Sequence, residues 1–200
     1  MNSPLPISTD QWAAIRAAYE TPVRAYHNFS HVMEVLRRHH EVAAGPGWRQ
    51  PVETYLAALY HDAIYQPGRA DNEARSAALA AAEIARHWPR AGIDAPQVEQ
   101  LILLTARHGS LTPQDVDSDA ALFLDCDMAI LGADAPTFDA YDRAIAAEYA
   151  GVVPGWLFRR QRRRFLKALL IKPRIFLSEY FHQRCDAPAR ANLRRRVESA

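Results

Sequence analysis

The segment "PVETYLAALYHDAIY", residues 51–65, decides the fold of this chain. Pro51 suits the first turn of a helix, and the "QPG" that follows Tyr65 is a turn, so the predicted helix ends at Tyr65. Asp62 falls on the apolar face of this helix, with His61 beside it. A buried carboxylate is costly unless it is paired or bound to a metal, so this pair needs an explanation. The apolar face is marked by residues at steps of three and four: Val52, Tyr55 and Leu59.

Helical periodicity continues along nearly the whole chain. Alanine and leucine are abundant, alternation of period two is scarce, and no Asn-Gly or Asp-Gly joins two β-like runs. Ser8 and Gln11 form a capping-box pattern, a second helix is predicted over residues 28–40, and a last short helix over residues 187–199. We expect one all-α domain over residues 1–200, a bundle of about eight or nine helices joined by short loops.

Composition and charge argue against several classes of function. The formal net charge of +1 gives no global field that would select a membrane or a nucleic acid. Two cysteines among 200 residues do not make a disulfide framework. The start of the chain lacks the basic and apolar regions of a signal peptide, and no apolar run is long enough to span a bilayer. We expect a cytoplasmic enzyme or binding protein, without a membrane partner and without nucleic acid as its partner.

A second predicted helix also carries carboxylates among apolar residues. The segment "AALFLDCDMAILG", residues 120–132, is apolar except for Asp125 and Asp127. Asp127 is in line with Phe123 and Ile130, by steps of four and three, which predicts that it faces the core. Asp125, two residues away, is the alternative.

Histidines add to this set of ionisable residues. His31 follows His27 by four residues, so both can share one helix face. His108 lies on the apolar stripe of its own predicted helix, where a simple hydrogen-bonded core histidine is the alternative interpretation. His39 and His40 are interpreted instead as solvated residues at the end of a helix.

Four of these residues predict a metal site: His31, His61, Asp62 and Asp127. Two imidazoles and two carboxylates suit Mn²⁺, Fe²⁺, Co²⁺, Ni²⁺ or Zn²⁺, and Mg²⁺ is less favoured where two ligands are nitrogens. We expect one divalent ion, with Mn²⁺ favoured. Four protein ligands leave positions open for water and substrate.

The order His…His-Asp…Asp on helices resembles the HD-domain superfamily of metal-dependent phosphohydrolases. The closer resemblance is to bacterial proteins described as predicted metal-dependent HD phosphohydrolases. Five segments, "RAYHNFSH", "HDAIYQP", "NEARSA", "LDCDMAILG" and "AEYAGV", resemble segments of that branch in the same order. The resemblance covers about residues 20–153 and is loose after Gly155. It implies an HD-like helical domain and the same four metal ligands.

The resemblance also implies a function. The expected activity is hydrolysis of a nucleotide, or of another small phosphate ester or anhydride, by a metal-activated water. Phosphoryl transfer needs further groups around the phosphoryl oxygens, and capping of a helix start is the alternative for Asn72 and Glu73. The predicted catalytic residues are His27, His108, Glu73 and Asp62, with Glu73 orienting the water. The predicted substrate-binding residues are Arg24, Asn72 and Tyr65.

The segment "FRRQRRRFLKALLIKPR" has eight basic residues and no acidic one between Arg159 and Arg174. Arginine-rich faces bind phosphate, but we favour a solvated helix face, or salt bridges to the acidic residues 114–120. A second class of function therefore stays open. In it the chain is a non-catalytic, metal-containing helical module that binds a nucleotide, RNA or a protein partner.

Overall fold

The computed structural model describes residues 3–199, and this range is all-α. It contains nine α-helices, one 3-10 helix and no strand, which confirms the predicted fold class and the number of helices. None of the helices in this range combines the length and the hydrophobicity needed to cross a bilayer. The chain divides into two compact units, Met1–Arg107 and His108–Ala200. The single domain over residues 1–200 stays a prediction, and its residues 1, 2 and 200 lie outside the described range.

The first unit is built around α3. Its helices are α1 (Thr9–Glu20), α2 (Phe29–Ala44), α3 (Pro51–Tyr60), α4 (Asn72–His87) and α5 (Ala95–Thr105). Helix α3 packs against α2, α4 and α5, and each of residues 54–60 is buried. A helix that is apolar on all sides is expected at the centre of a bundle. The largest fully buried side chains of this unit are Tyr19, Leu36, Leu56, Leu59, Leu101 and Ile102.

Local capping sets the starts of α1 and α2. The predicted capping box is present, because the Ser8 hydroxyl accepts the Gln11 backbone N–H and the Gln11 side chain accepts the Ser8 N–H. The Asn28 side chain caps α2 and accepts the N–H of His31, which places His31 in the first turn. Helix α2 runs to Ala44, four residues beyond the predicted end.

Helix α3 ends at Tyr60, and the predicted end at Tyr65 was wrong. The N–H of His61 makes the last helical hydrogen bond, to the carbonyl of Ala57 at 2.9 Å. Asp62 therefore lies just beyond the helix, and the register argument that placed it within a helical stripe does not apply.

Where α3 ends, the backbone groups form hydrogen bonds with side chains from other parts of the unit. The Tyr19 hydroxyl donates to the carbonyl of Leu59 at 2.9 Å and accepts the N–H of Asp62 at 3.3 Å. The Arg24 guanidinium donates to the carbonyls of Asp62 at 2.6 Å and Ala63 at 3.1 Å. Because backbone groups leaving a helix must find other partners, these contacts stabilise the early end.

The second unit is built around its last helix. Its elements are α6 (Ser118–Met128), a 3-10 helix (Ala129–Gly132), α7 (Ala135–Glu148), α8 (Gly155–Leu170) and α9 (Glu179–Glu198). Helix α9 packs against α6, α8 and the 3-10 helix. The largest fully buried side chains of this unit are Phe123, Leu124, Leu131, Phe138, Phe176 and Phe181.

Helix α9 starts at Glu179, eight residues before the predicted start. The Ser178 hydroxyl accepts the N–H of Phe181 at 3.2 Å and so caps the helix. Pro188 lies inside the helix. Proline is most common in the first turn of a helix, so its position in the interior makes the full length of α9 hard to recognise from the sequence.

His39 is buried, so its interpretation as a solvated residue was wrong. Its Nε2 lies 3.0 Å from the Thr54 hydroxyl, and its ring stacks on Trp48 with centroids 4.5 Å apart. Burial lowers the pKa of His39 to about 4, with a smaller lowering from His40 and an opposing hydrogen bond from the backbone of Pro51. His39 is therefore neutral in the folded protein at neutral pH.

The buried His39 predicts acid sensitivity. Its pKa is about 4 when folded and about 6.5 when exposed, so the unfolded state takes up the proton first as the pH falls. The free energy of unfolding should therefore fall between pH 6.5 and pH 4, by up to about 3 kcal/mol from this residue. Urea denaturation across this range should show a shallower pH dependence for His39→Gln. His40→Gln changes an exposed histidine and removes only the smaller of the two effects that lower the pKa of His39, so it should keep nearly the wild-type slope. Equal slopes in all three proteins would contradict the assignment.

Candidate metal centre

Three side chains converge where α3 ends. The Nε2 atoms of His31 and His61 are 3.2 Å apart. The Asp62 Oδ2 atom lies 3.5 Å from His31 Nε2 and 3.1 Å from His61 Nε2. His31 is 6% exposed and His61 is 1% exposed. The structure thus brings together three of the four predicted metal ligands, all within the first unit.

The chemistry of these donors fits a divalent cation. His61 Nδ1 donates to the carbonyl of Ala58 at 2.9 Å, so the Nε2 of a neutral His61 is an acceptor. The carboxylate of Asp62 also only accepts, and two acceptors 3.1 Å apart repel unless a proton or a cation lies between them. Ligands about 2.1 Å from one ion are separated by roughly 3.0–3.4 Å, close to the spacings seen here. A proton shared with an imidazole is the alternative.

The charge state of Asp62 also suits a ligand. Burial by itself raises the pKa of its carboxyl, but electrostatic interaction with the imidazoles of His61 and His27, and hydrogen bonding with His31 and His61, lower it more. The net effect holds the pKa of Asp62 well below its usual value. The carboxylate is therefore ionised, as metal coordination requires.

Arg24 positions the backbone around this centre. Its guanidinium donates to four carbonyls: Ala18 at 2.7 Å, His27 at 3.0 Å, Asp62 at 2.6 Å and Ala63 at 3.1 Å. Its Nη1 and Nη2 groups therefore hold the main chain in place, and the contact of Arg24 with substrate phosphate stays a prediction. The contacts join the end of α1 to the segment that carries His27 and to the backbone of Asp62.

His27 and Tyr65 lie beside the centre, as two of the predicted site residues. Their rings stack with centroids 3.9 Å apart and an angle of 25° between planes. The His27 ring centroid is 5.8 Å from that of His31. Both rings are half-buried, so the stack holds an imidazole in a fixed orientation at the edge of the centre.

Asn72, predicted to bind substrate, also has a structural role. It is buried, and its amide accepts the N–H of Gln66 at 3.0 Å and donates to the Gln66 carbonyl at 3.0 Å. The amide therefore closes the loop that follows the His-Asp pair, and the substrate-binding role of Asn72 stays a prediction. Glu73 lies in the first turn of α4. Within residues 3–199 its carboxylate makes no hydrogen bond or ion pair, and its role toward water stays a prediction.

In the second unit the two candidate aspartates are in different environments. The Asp125 carboxylate accepts the N–H of Leu177 at 2.8 Å and both the N–H and the hydroxyl of Ser178, at 2.7 and 2.6 Å. Burial raises the pKa of Asp125 to about 7, against the lowering effect of these hydrogen bonds. Asp127 Oδ2 instead lies 3.4 Å from His108 Nδ1. Asp125 is thus committed to the start of α9, while the roles of Asp127 as a ligand and His108 as a catalyst stay predictions.

Sequence reasoning missed two positioning residues, Tyr19 and Ser76. Tyr19 is fully buried between Leu59 and Asp62, and burial followed by the charge of Asp62 raises the pKa of its hydroxyl well above the usual value. The Ser76 hydroxyl accepts the N–H of Ile64 at 3.0 Å and donates to its carbonyl at 3.1 Å. Their partners are distant along the chain, so no local pattern could have identified them.

Comparison with known proteins does not identify the chain. No family model, no curated protein and no solved structure matches it. The resemblance to HD phosphohydrolases therefore rests on the five segments quoted above and stays a hypothesis.

The four backbone contacts of Arg24 predict a large effect on stability. Arg24→Gln should lower the free energy of unfolding by roughly 2–4 kcal/mol, because several charge-assisted hydrogen bonds are lost and buried carbonyls are left without donors. Urea denaturation in the presence of a chelator measures this effect without any contribution from metal. Arg90→Gln, at an exposed arginine in a turn, should change stability by no more than about 0.5 kcal/mol. Similar values for the two variants would show that Arg24 does not hold this region together.

Proposed function

We propose that this chain is a metal-dependent phosphohydrolase that acts on a nucleotide or another small phosphate ester or anhydride. One observation carries the proposal, the convergence of His31 Nε2, His61 Nε2 and Asp62 Oδ2 within 3.1–3.5 Å of one another. The His27 imidazole, stacked on Tyr65 at the edge of this group, would act as a proton carrier. The HD resemblance supplies the class of substrate.

The three converging donors would hold one divalent ion, with Mn²⁺ favoured. Three protein ligands leave room for a further ligand, a water and a substrate oxygen on an ion that accepts five or six donors. When bound, such an ion supplies Lewis acidity toward a phosphoryl oxygen and lowers the pKa of a nearby water. Asp127 as the fourth protein ligand remains the prediction from the sequence.

Three residues around the ion would have separate roles in the reaction. Asp62, held ionised by its histidine neighbours, would neutralise part of the positive charge of the ion. His27 would hold or move a proton at the edge of the centre, with its ring orientation set by Tyr65. Arg24 would act as a positioning residue, since it fixes the backbone at both His27 and Asp62.

A non-catalytic module with a structural ion is the second candidate. The observation that favours it is the burial of both histidine ligands, which resembles the closed character of structural metal sites. In that case the ion would stabilise the fold and no phosphate compound would be hydrolysed.

Metal binding is the first test. After removal of metal with a chelator, isothermal titration with Mn²⁺ should show one equivalent bound by the wild-type chain. His61→Ala and Asp62→Asn should each weaken binding by more than about 100-fold, since a direct ligand matters at least as much as an outer-shell partner. His40→Ala removes an exposed histidine of α2 and should bind Mn²⁺ as the wild type does. If all four proteins bind equally, these residues are not the ligands.

Hydrolysis is the second test. A panel of nucleotides, aryl phosphates and phosphodiesters should be assayed with Mn²⁺, Mg²⁺, Co²⁺ and Ni²⁺, and His61→Ala serves as the control for contaminating phosphatase. His27→Gln should lower kcat by roughly 10²–10⁴-fold while Mn²⁺ affinity is kept, as expected for an acid or base. Metal binding without turnover above the control would favour the structural-ion candidate. Absence of both metal binding and turnover would overturn the proposal.

A further inference from the structure

Helix α8 presents a continuous cationic face. Five exposed basic residues line a single groove of about 430 Å³: Arg159, Arg160, Arg163, Arg164 and Lys167. Four of the five are arginines, whose planar guanidinium groups bind phosphate oxygens with two hydrogen bonds. We call these five residues the cationic face.

The cationic face has no acidic partner in the described part of the chain. Arg162, on the same helix, behaves differently, because it points inward and its Nε donates to Asp142 at 2.9 Å. None of the five outward residues forms an ion pair within residues 3–199, so the predicted salt bridges to residues 114–120 do not involve them. Five positive charges are therefore left without compensation on a chain whose net charge is only +1.

The spacing of these charges is unfavourable for the helix alone. Several pairs in this set lie three or four residues apart, such as Arg159 and Arg163 or Arg160 and Arg164, and like charges at this spacing repel by a few tenths of a kcal/mol per pair. A bound polyanion would remove this repulsion. The cationic face therefore resembles a binding surface, because residues that bind a ligand often lower the stability of the free protein.

An exposed aromatic side chain extends the cationic face. Trp156 is 61% exposed. It precedes Arg159 and Arg160 by three and four residues, so a rotation of 100° per residue places all six residues within a sector of about 140°. From Trp156 to Lys167 the helix rises about 16 Å, which corresponds to four to five nucleotides of a stacked strand at an axial rise of about 3.4 Å each.

We infer that the cationic face and Trp156 bind single-stranded nucleic acid. The arginines match the phosphates, and an exposed indole beside them is a stacking platform for an unpaired base. A duplex has no unpaired base to offer. A lipid surface would need an apolar helix face to insert, but Leu166 and Leu169 of α8 are buried in the second unit. This inference is independent of the proposed hydrolase activity, and it departs from the expectation, based on net charge, that nucleic acid is not a partner.

The contribution of the arginine charges to binding can be tested with oligo(dT) of 15 nucleotides labelled with fluorescein. Fluorescence anisotropy in EDTA, at several NaCl concentrations, should show binding that weakens with salt. The variant Arg160→Gln/Arg163→Gln/Arg164→Gln should weaken binding at least about 30-fold at low salt. The slope of log K against log salt should become shallower by about 2, at roughly 0.7 for each lost phosphate contact. Its melting temperature should equal or exceed that of the wild type, which separates lost binding from unfolding.

A matched control carries the same change in charge at exposed arginines elsewhere: Arg75→Gln/Arg90→Gln/Arg194→Gln. This control should bind oligo(dT) with wild-type affinity and salt slope. Equal weakening in the two triple variants would show that net charge, not the cationic face, attracts the oligonucleotide, and would overturn the inference. Absence of binding by the wild type at low salt would overturn it too.

The stacking term is tested by Trp156→Ala. This variant should bind oligo(dT) about 5- to 100-fold more weakly, the range for one stacked base, but should bind an abasic 15-mer as the wild type does. Equal affinity of the wild type for oligo(dT), the abasic strand and a 15-base-pair duplex would reduce the face to a general polyanion site. Binding to vesicles of anionic phosphatidylglycerol, with none to oligo(dT), would assign the face to a membrane surface instead. Either result would overturn the inference.

Discussion

The structure of the first unit depends on one constraint: two acceptor atoms, His61 Nε2 and Asp62 Oδ2, are held 3.1 Å apart beside the imidazole of His31. Such atoms repel one another unless positive charge lies among them. The chain counters this repulsion from outside, because Arg24 and Tyr19 hold the backbone of Asp62 in place. Rigid support of this kind is what a metal centre requires, since a loose ligand set loses affinity and selectivity.

The arginines of the second unit fall into two groups with different surroundings. Arg162 and Arg196 both donate to the buried carboxylate of Asp142, and Arg190 pairs with Asp186. These contacts neutralise charge inside the unit and tie α7 and α8 to α9. Within residues 3–199 the outward arginines of α8 have no such partners, so this helix packs against the core on one side and presents uncompensated charge on the other. Helical periodicity alone makes this division possible, because residues two positions apart face opposite sides.

The sequence by itself determined the all-α class and the number of helices, and its four predicted metal ligands include the three donors that lie together in the first unit. Periodicity and capping depend on residues within one helical turn, so Ser8 and Gln11 could be identified as a capping box from four adjacent positions. Residue chemistry and helical register grouped His31, His61 and Asp62 with Asp127, because a buried carboxylate needs a partner, although the register argument did not apply to Asp62. These inferences required only residue type and local spacing.

Only the tertiary structure decided where α3 ends, what Arg24 and Asn72 do, and that His39 is buried. Each outcome depends on a partner distant in the sequence, such as the contact of Arg24 with the carbonyl of Asp62, 38 residues away. The gain from one such hydrogen bond, about 1–3 kcal/mol, exceeds the intrinsic preference of a few residues for one more helical turn. Local pattern therefore sets which elements form, whereas long-range hydrogen bonds set where they stop and which side chains remain available for chemistry.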